Sequence, residues 1–102
     1  KNAAARGSQL YQGVLKLKEK YDIIGDVRGG EGLMTGIEVV SDIVTKKPMD
    51  NNTMKRIHQA TYEAGTMVRV GLNNILMSPP LVITEQETNQ ILYALDKGFA
   101  AI

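Results

Sequence analysis

Two short apolar runs, Met67–Val70 and Ile75–Ser78, stand on either side of Gly71-Leu72-Asn73-Asn74. A linker rich in glycine and asparagine is hairpin composition, because a tight turn needs backbone angles that these residues tolerate. The two runs should therefore pair antiparallel. A lone hairpin is marginal in water, so the rest of the chain has to supply more strands or a helix layer to cover it. Pro79 and Pro80 follow directly. Each lacks a backbone N–H, so the second strand ends there or lies at a sheet edge.

The covering elements are legible on both sides of the hairpin. Downstream, Thr84 and Glu87 have the spacing of a capping box, and Ile91, Leu95, Phe99 and Ile102 continue at helical spacing to the last residue. Upstream, Leu10, Val14, Leu17 and Tyr21 make one apolar stripe among Lys16, Lys18, Glu19 and Lys20, which predicts a helix over the first twenty or so residues. "KNAAARG" has helix-forming composition from its first residue and no clear cap before Asn2, the layout expected of a chain cut from a longer one.

Between these helices, "GDVRGGEGLMTGIEVV" reads as a glycine-rich bend feeding a strand of about eight residues. Leu33, Thr35, Ile37 and Val39 lie on one side of that strand, and Met34, Gly36, Glu38 and Val40 on the other. "SDIVTKKPMDNN" is a polar, proline-containing loop, and any of Asn51 to Thr53 is a candidate cap for the next helix. Met54, Ile57, Thr61 and Ala64 share one face of that helix, and Gly65 stands where a C-terminal stop is common. The order is helix, strand, helix, hairpin, helix, which predicts an α+β layer with helices covering a small, mostly antiparallel sheet.

With 102 residues the chain supports one domain. Twelve Lys and Arg against eleven Asp and Glu are interspersed along it, which gives no basic face for nucleic acid. The absence of cysteine excludes disulfides and thiolate metal sites, and the single histidine, His58, has no ligand partner at metal-binding spacing. No apolar run approaches the roughly 20 residues of a membrane helix. The first residues also lack the layout of a signal peptide. The expectation is a cytoplasmic protein with no membrane partner.

Arg69 is the residue whose chemistry is least explained by its setting. A guanidinium stays charged at any working pH, so on a short apolar strand it must find water, a carboxylate or a ligand. Its two alternatives are an outward-facing cation in solvent and a fork aimed at a bound carboxylate, which it grips with two parallel hydrogen bonds. Gly29, Gly30 and Gly32 resemble a phosphate loop, but a strand pattern follows them where a dinucleotide motif needs a helix. They read as a bend. Arg28 beside them reads as an ion-pairing or backbone-binding residue, the methionines as core filler, and no lysine sits in an apolar setting suited to a Schiff base.

Taken in order, "AARGSQLYQGVLKL", "GDVRGGEGLMTGIEVV", "AGTMVRVG" and "ILMSPPLVITEQETNQIL" resemble the C-terminal small domain of class III pyridoxal-phosphate-dependent aminotransferases, over essentially the whole chain. The resemblance implies a fold-type I enzyme in which a larger preceding domain carries the cofactor lysine and the phosphate-binding residues. Pyridoxal 5'-phosphate would then be bound outside this segment. It implies amino transfer from an amino acid or amine to a keto acid, a homodimer, and a 102-residue piece with no activity by itself. It also gives Arg69 a role. Several subfamilies place a substrate-carboxylate arginine ten positions before the first proline of the pair, the separation of Arg69 from Pro79. Relatives commonly carry a glycine followed by Asp or Asn before the proline run, whereas this chain has Leu72-Asn73-Asn74 and its glycine one place earlier, at Gly71. No catalytic, cofactor-binding or metal residue is assigned within the segment. A non-enzymatic, small-molecule-binding or dimerising α+β regulatory module is the alternative. Faces that would pack on a large domain predict self-association of the isolated segment.

Overall fold

The computed structural model describes residues 2–29, 35–77 and 83–102, with side chains from Ala5 onward. Its elements are α1 (Asn2–Lys20), β1 (Ile24–Arg28), β2 (Thr35–Asp42), β3 (Lys47–Pro48), α2 (Asn51–Glu63), β4 (Arg69–Gly71), β5 (Asn74–Met77) and α3 (Glu85–Ala100). The main sheet runs β1-β2-β5-β4, with β3 paired to the far end of β2, and every pairing is antiparallel. The architecture is α+β, as the sequence predicts.

The helices cover one face of the sheet. Leu10, Val14 and Leu17 of α1, Met54 and Ile57 of α2, and Leu95 and Phe99 of α3 form a single core with Ile24, Val27, Ile37, Val39, Ile75 and Met77 of the strands. Helix α3 sits between the other two helices and touches both. Its start is the expected capping box: the Thr84 hydroxyl accepts from Glu87 N–H, and the Glu87 carboxylate accepts from Thr84 N–H.

Several expectations need correction. The eight-residue strand expected after the glycine-rich stretch is β2, but the residues before that stretch, expected as part of the bend, form a further strand, β1. Strand β1 is cryptic because its register shifts between Ile24 and Asp26, so Ile24 and Val27 both point inward although they are three residues apart. A bulge of this kind breaks the period-2 pattern by which strands are read. It falls at Gly25, where a Cβ would come within 2.7 Å of Val40 Cγ1. That contact also explains why Val40, expected on the outer side, is fully buried. The cap of α2 is Asp50, not Asn51–Thr53: its carboxylate accepts from Thr53 N–H at 2.9 Å and from the Thr53 hydroxyl at 2.8 Å. These bonds hold the Asp50 carboxyl below its ordinary value. Lys47–Pro48, within the expected loop, pair with β2 as the short strand β3, and Met67 and Ile102, expected in the core or on the helix stripe, are exposed. Gly30, Gly32, Leu33, Met34, Ser78, Pro79 and Pro80 lie outside the described residues.

Tyr21 closes the end of α1. Its ring tilts against Phe99 with centroids 5.7 Å apart, and its hydroxyl donates to the Asp96 carboxylate and, at 3.2 Å, to the Asp96 carbonyl. The Lys20 ammonium donates to the same carboxylate at 3.0 Å. The Tyr21 hydroxyl first, and Lys20 second, lower the Asp96 carboxyl from its ordinary value of 3.8. A carboxyl held low in the folded state adds stability that is fully present above its unfolded value and disappears as pH falls through the folded value. Asp96→Asn should therefore flatten the acid limb of the stability curve below about pH 4. Urea midpoints measured across that range check this, and identical acid limbs would show that the cluster contributes nothing.

The β4–β5 hairpin has a two-residue loop, Leu72–Asn73, because Gly71 pairs with Asn74. Leu72 has φ 55°, and Asn73 is not among the residues with positive φ. A left-handed first position is the sign pattern of a II′ turn, where glycine is the usual residue. Leucine there carries a steric cost of roughly 1–2 kcal/mol. The side chain is 84% exposed, so truncating it forfeits little burial. Leu72→Gly should stabilise the domain by about 0.5–1 kcal/mol after the extra chain entropy of glycine is subtracted. A urea midpoint that fails to rise would refute the strained turn.

Candidate functional site

Among the described residues no element covers the face of the sheet opposite the helices, and strand register places its residues. Val27, Thr35, Ile37, Ile75 and Met77 point into the core, so their neighbours in sequence point outward. Arg28 pairs with Gly36, Gly36 with Leu76, and Leu76 with Arg69, which makes one row across all four strands. The next row is Asp26, Glu38, Asn74 and Gly71. Asp26, Arg28, Leu76, Arg69 and Gly71 are exposed, and Gly36, Glu38 and Asn74 are half-buried. The two arginines thus end the same row, three strand spacings or roughly 14 Å apart at the backbone.

Their electrostatic situations differ. Arg28 donates to Asn74 Oδ1 at 3.1 Å and lies 3.9 Å from an Asp26 carboxylate oxygen, the ion-pairing role expected of it. Arg6 donates to Gln9, and Arg56 to the Ala101 carbonyl. Among the described residues Arg69 makes no hydrogen bond or ion pair. An edge strand, an open face and an unpaired fork of donors give a guanidinium available for an external carboxylate.

The immediate surroundings of Arg69 are sparse. Leu76 leans across β2: a Cβ built on Gly36 would lie 3.5 Å from Leu76 Cδ2. Gly71, two residues after Arg69 on the same face, would carry a Cβ with nothing within 4 Å. Leu76 and Gly36 were not singled out from sequence as neighbours of Arg69. Once the loop is known to be Leu72–Asn73, pairing outward from it brings Leu76 opposite Arg69, so loop length was the missing signal.

His58 is half-buried on α2 and lines a cleft of about 570 Å³ with Asn51, Met54, Lys55, Gln59, Val70 and Leu72. This cleft lies between α2 and the hairpin tip, and Arg69 does not line it. Every described lysine is exposed to solvent. A lysine that bonds pyridoxal phosphate needs a desolvated pocket, so the described residues do not fit a binding site for that cofactor within this segment.

Comparison with known proteins shows the family. Residues 1–99 match the family model for aminotransferase class-III. The chain is similar to the mitochondrial alanine–glyoxylate aminotransferase 2 homolog 2 of Arabidopsis thaliana, with 40% identity over 93% of this chain and 20% of that protein. It is also similar to a leucine/methionine racemase of Thermococcus litoralis, with 36% identity over 100% of this chain and 23% of that one. Among solved structures, a PLP-bound amine transaminase from an uncultivated Pseudomonas species superposes with a TM-score of 0.90 and 40% identity, over 97% of this chain and 22% of that chain. The chain thus spans about a fifth to a quarter of the length of the relatives it matches. No helix among the described residues is long and apolar enough to cross a membrane. With the family matched over nearly every residue and the fold shared with a solved transaminase, this chain belongs to the class III aminotransferase family.

Proposed function

We propose that the chain is the C-terminal small domain of a longer, pyridoxal-phosphate-dependent aminotransferase, and that Arg69 binds the substrate carboxylate. The reaction is transfer of an amino group from an amino acid or amine to a keto acid. The cofactor is held by a preceding large domain, against which the open sheet face packs, and the 102-residue segment by itself is inactive. The homodimer and the cytoplasmic setting belong to the same reading.

The observation that carries it is the unpaired guanidinium of Arg69 at the edge of an open sheet face, in a chain whose other described arginines all have partners. A planar fork grips a carboxylate with two parallel charge-assisted hydrogen bonds, which fixes both the distance and the roll of the bound acid. Lysine offers a point charge and no such plane. Leu76, beside Arg69 in the same row, gives the carbon chain of the substrate an apolar surface.

The test uses the full-length enzyme. Arg69→Ala should raise KM for a keto acid such as pyruvate by roughly tenfold or more, and KM for an amine without a carboxylate by much less. Arg69→Lys should recover only part of the loss, because the second hydrogen bond is missing. Equal changes for both substrates would rule out carboxylate recognition. Inversion of an amino acid without exchange of its amino group would identify a racemase instead.

A further inference from the structure

Asn73 closes the β4–β5 hairpin and also fastens it to a third strand. Extending the register of β2 and β5 by one residue sets Asn73 opposite Val39 of β2. Residues that face each other as a hydrogen-bonded antiparallel pair exchange two backbone bonds. Here the Val39 N–H donates to the Asn73 carbonyl at 2.8 Å, while the return bond comes from the side chain, whose Nδ2 donates to the Val39 carbonyl at 2.9 Å. The same carbonyl accepts from Met49 N–H at 3.1 Å, one residue ahead of the Asp50 cap of α2. One oxygen of the fully buried Val39 therefore ties down both the hairpin tip and the entry to α2.

The residue before Asn73 gives this bond its importance. Leu72 is left-handed, with φ 55°, a strained state that a leucine leaves unless its surroundings hold it there. If Leu72 relaxed, β4 would turn with it, because β4 is three residues long and pairs with β5 alone. Arg69 is the first residue of β4, so the direction of its side chain follows the twist of the hairpin. The tip has a second tether, from Arg28 to Asn74 Oδ1 at 3.1 Å. Arg28 is exposed, so water competes for that bond, whereas Asn73 is half-buried. The Asn73 amide is thus the stronger hold on the turn.

Resting on the reading of Arg69 as the carboxylate-binding residue, we propose that Asn73 is the positioning residue of that site. Its amide, fastened to the Val39 carbonyl, holds the strained Leu72 turn in one shape and so aims the Arg69 fork at the keto acid. Two parallel hydrogen bonds to a carboxylate demand a set distance and roll. A tip that drifts by about an ångström weakens that grip even though the guanidinium is still present. Asn73 acts through β4, not by contact with the substrate.

The experiment uses the full-length enzyme with pyruvate as acceptor and a fixed, saturating amino donor. Asn73→Ala removes the Nδ2 donor and keeps the backbone bond to Val39; Asn73→Asp keeps the shape of the side chain and removes the same donor. In both, KM for pyruvate should rise by roughly fivefold while kcat changes by less than about twofold. Adding Leu72→Gly to Asn73→Ala should return KM to within about twofold of the parent, because glycine holds a positive φ without help. In an Arg69→Ala background Asn73→Ala should raise KM no further, since both changes remove one interaction. An unchanged KM in Asn73→Ala or Asn73→Asp overturns the proposal. So does a rise that persists in the Arg69→Ala background, or one that Leu72→Gly does not relieve, either of which a merely structural asparagine would give. If Arg69→Ala itself fails to raise KM for pyruvate, the carboxylate reading falls and this inference with it. If Arg69→Ala raises it and Asn73→Ala does not, only the inference about Asn73 falls.

Discussion

Phe99→Ala is expected to destabilise the domain by about 3–5 kcal/mol, the usual cost of truncating a fully buried phenylalanine. Phe99 is the largest fully buried side chain among the described residues, 1% exposed, and sits on α3, the helix that touches both other helices. Its ring packs against Tyr21 at the end of α1 and belongs to the one core cluster, so its removal opens a cavity that several elements line at once. Such a site relaxes poorly, since collapse would have to shift α1 against α3 while the Tyr21–Asp96 bond and the Lys20–Asp96 pair fix their relative position. For a domain whose whole stability is of order 5–15 kcal/mol, a loss of this size leaves the folded state marginal. The measurement is the urea midpoint, with Tyr21→Phe as a control that keeps the ring contact and removes only the hydroxyl. A loss under about 1 kcal/mol would mean that Phe99 is not packed as described.

Gly98→Ala should cost about 2–3 kcal/mol, although helix propensity alone predicts a gain of roughly 1 kcal/mol for the same change. The two considerations differ in sign, and geometry decides between them. A Cβ at Gly98 would lie 2.0 Å from Thr61 Oγ1 and 3.0 Å from the Ile57 carbonyl oxygen of α2. The first contact forces Thr61 to turn away from the Ile57 carbonyl, to which its hydroxyl donates at 2.7 Å, and leaves a fully buried hydroxyl without its partner. The second is with backbone, which a rotamer change cannot relieve, so α2 and α3 must move apart. Thr61→Ala combined with Gly98→Ala should therefore lose less than the sum of the single changes. Thermal melting of the four proteins gives the coupling. A single Gly98→Ala variant more stable than the parent would show that the helices do not approach as closely as this.

The elements that were legible in the chain are those whose signal is local. Thr84 and Glu87 announce α3 because a capping box is completed within four residues, and the stripe through Leu10, Val14 and Leu17 announces α1 because helical periodicity needs no knowledge of the partner. The hairpin was legible for the same reason, since its turn composition lies between its strands. Asp50 shows the limit of that locality. Asn51, Asn52 and Thr53 are all good cap residues, and the choice fell on the residue before them, whose carboxylate reaches both the backbone N–H and the hydroxyl of Thr53.

Strand β1 was illegible for a physical reason that periodicity cannot register. Its inward residues are spaced three apart because a bulge at Gly25 is accommodated by Val40 of the neighbouring strand. Gly98 is similar: as a sequence it is a poor helix residue, and only the approach of α2 makes it the residue that fits. The sequence by itself determined that three amphipathic helices and an antiparallel hairpin would form, that Arg69 would carry a permanent charge, and, through its motifs, the family. Tertiary structure alone decided which residues share a sheet row, because register is set by contacts between strands that are distant in the chain. It therefore decided that Arg28 is tied to Asn74 and Asp26 while Arg69 is not, and that Gly71 stands open beside it. A guanidinium is the same group at both positions, and its availability depends on which carboxylates and amides the register brings within reach.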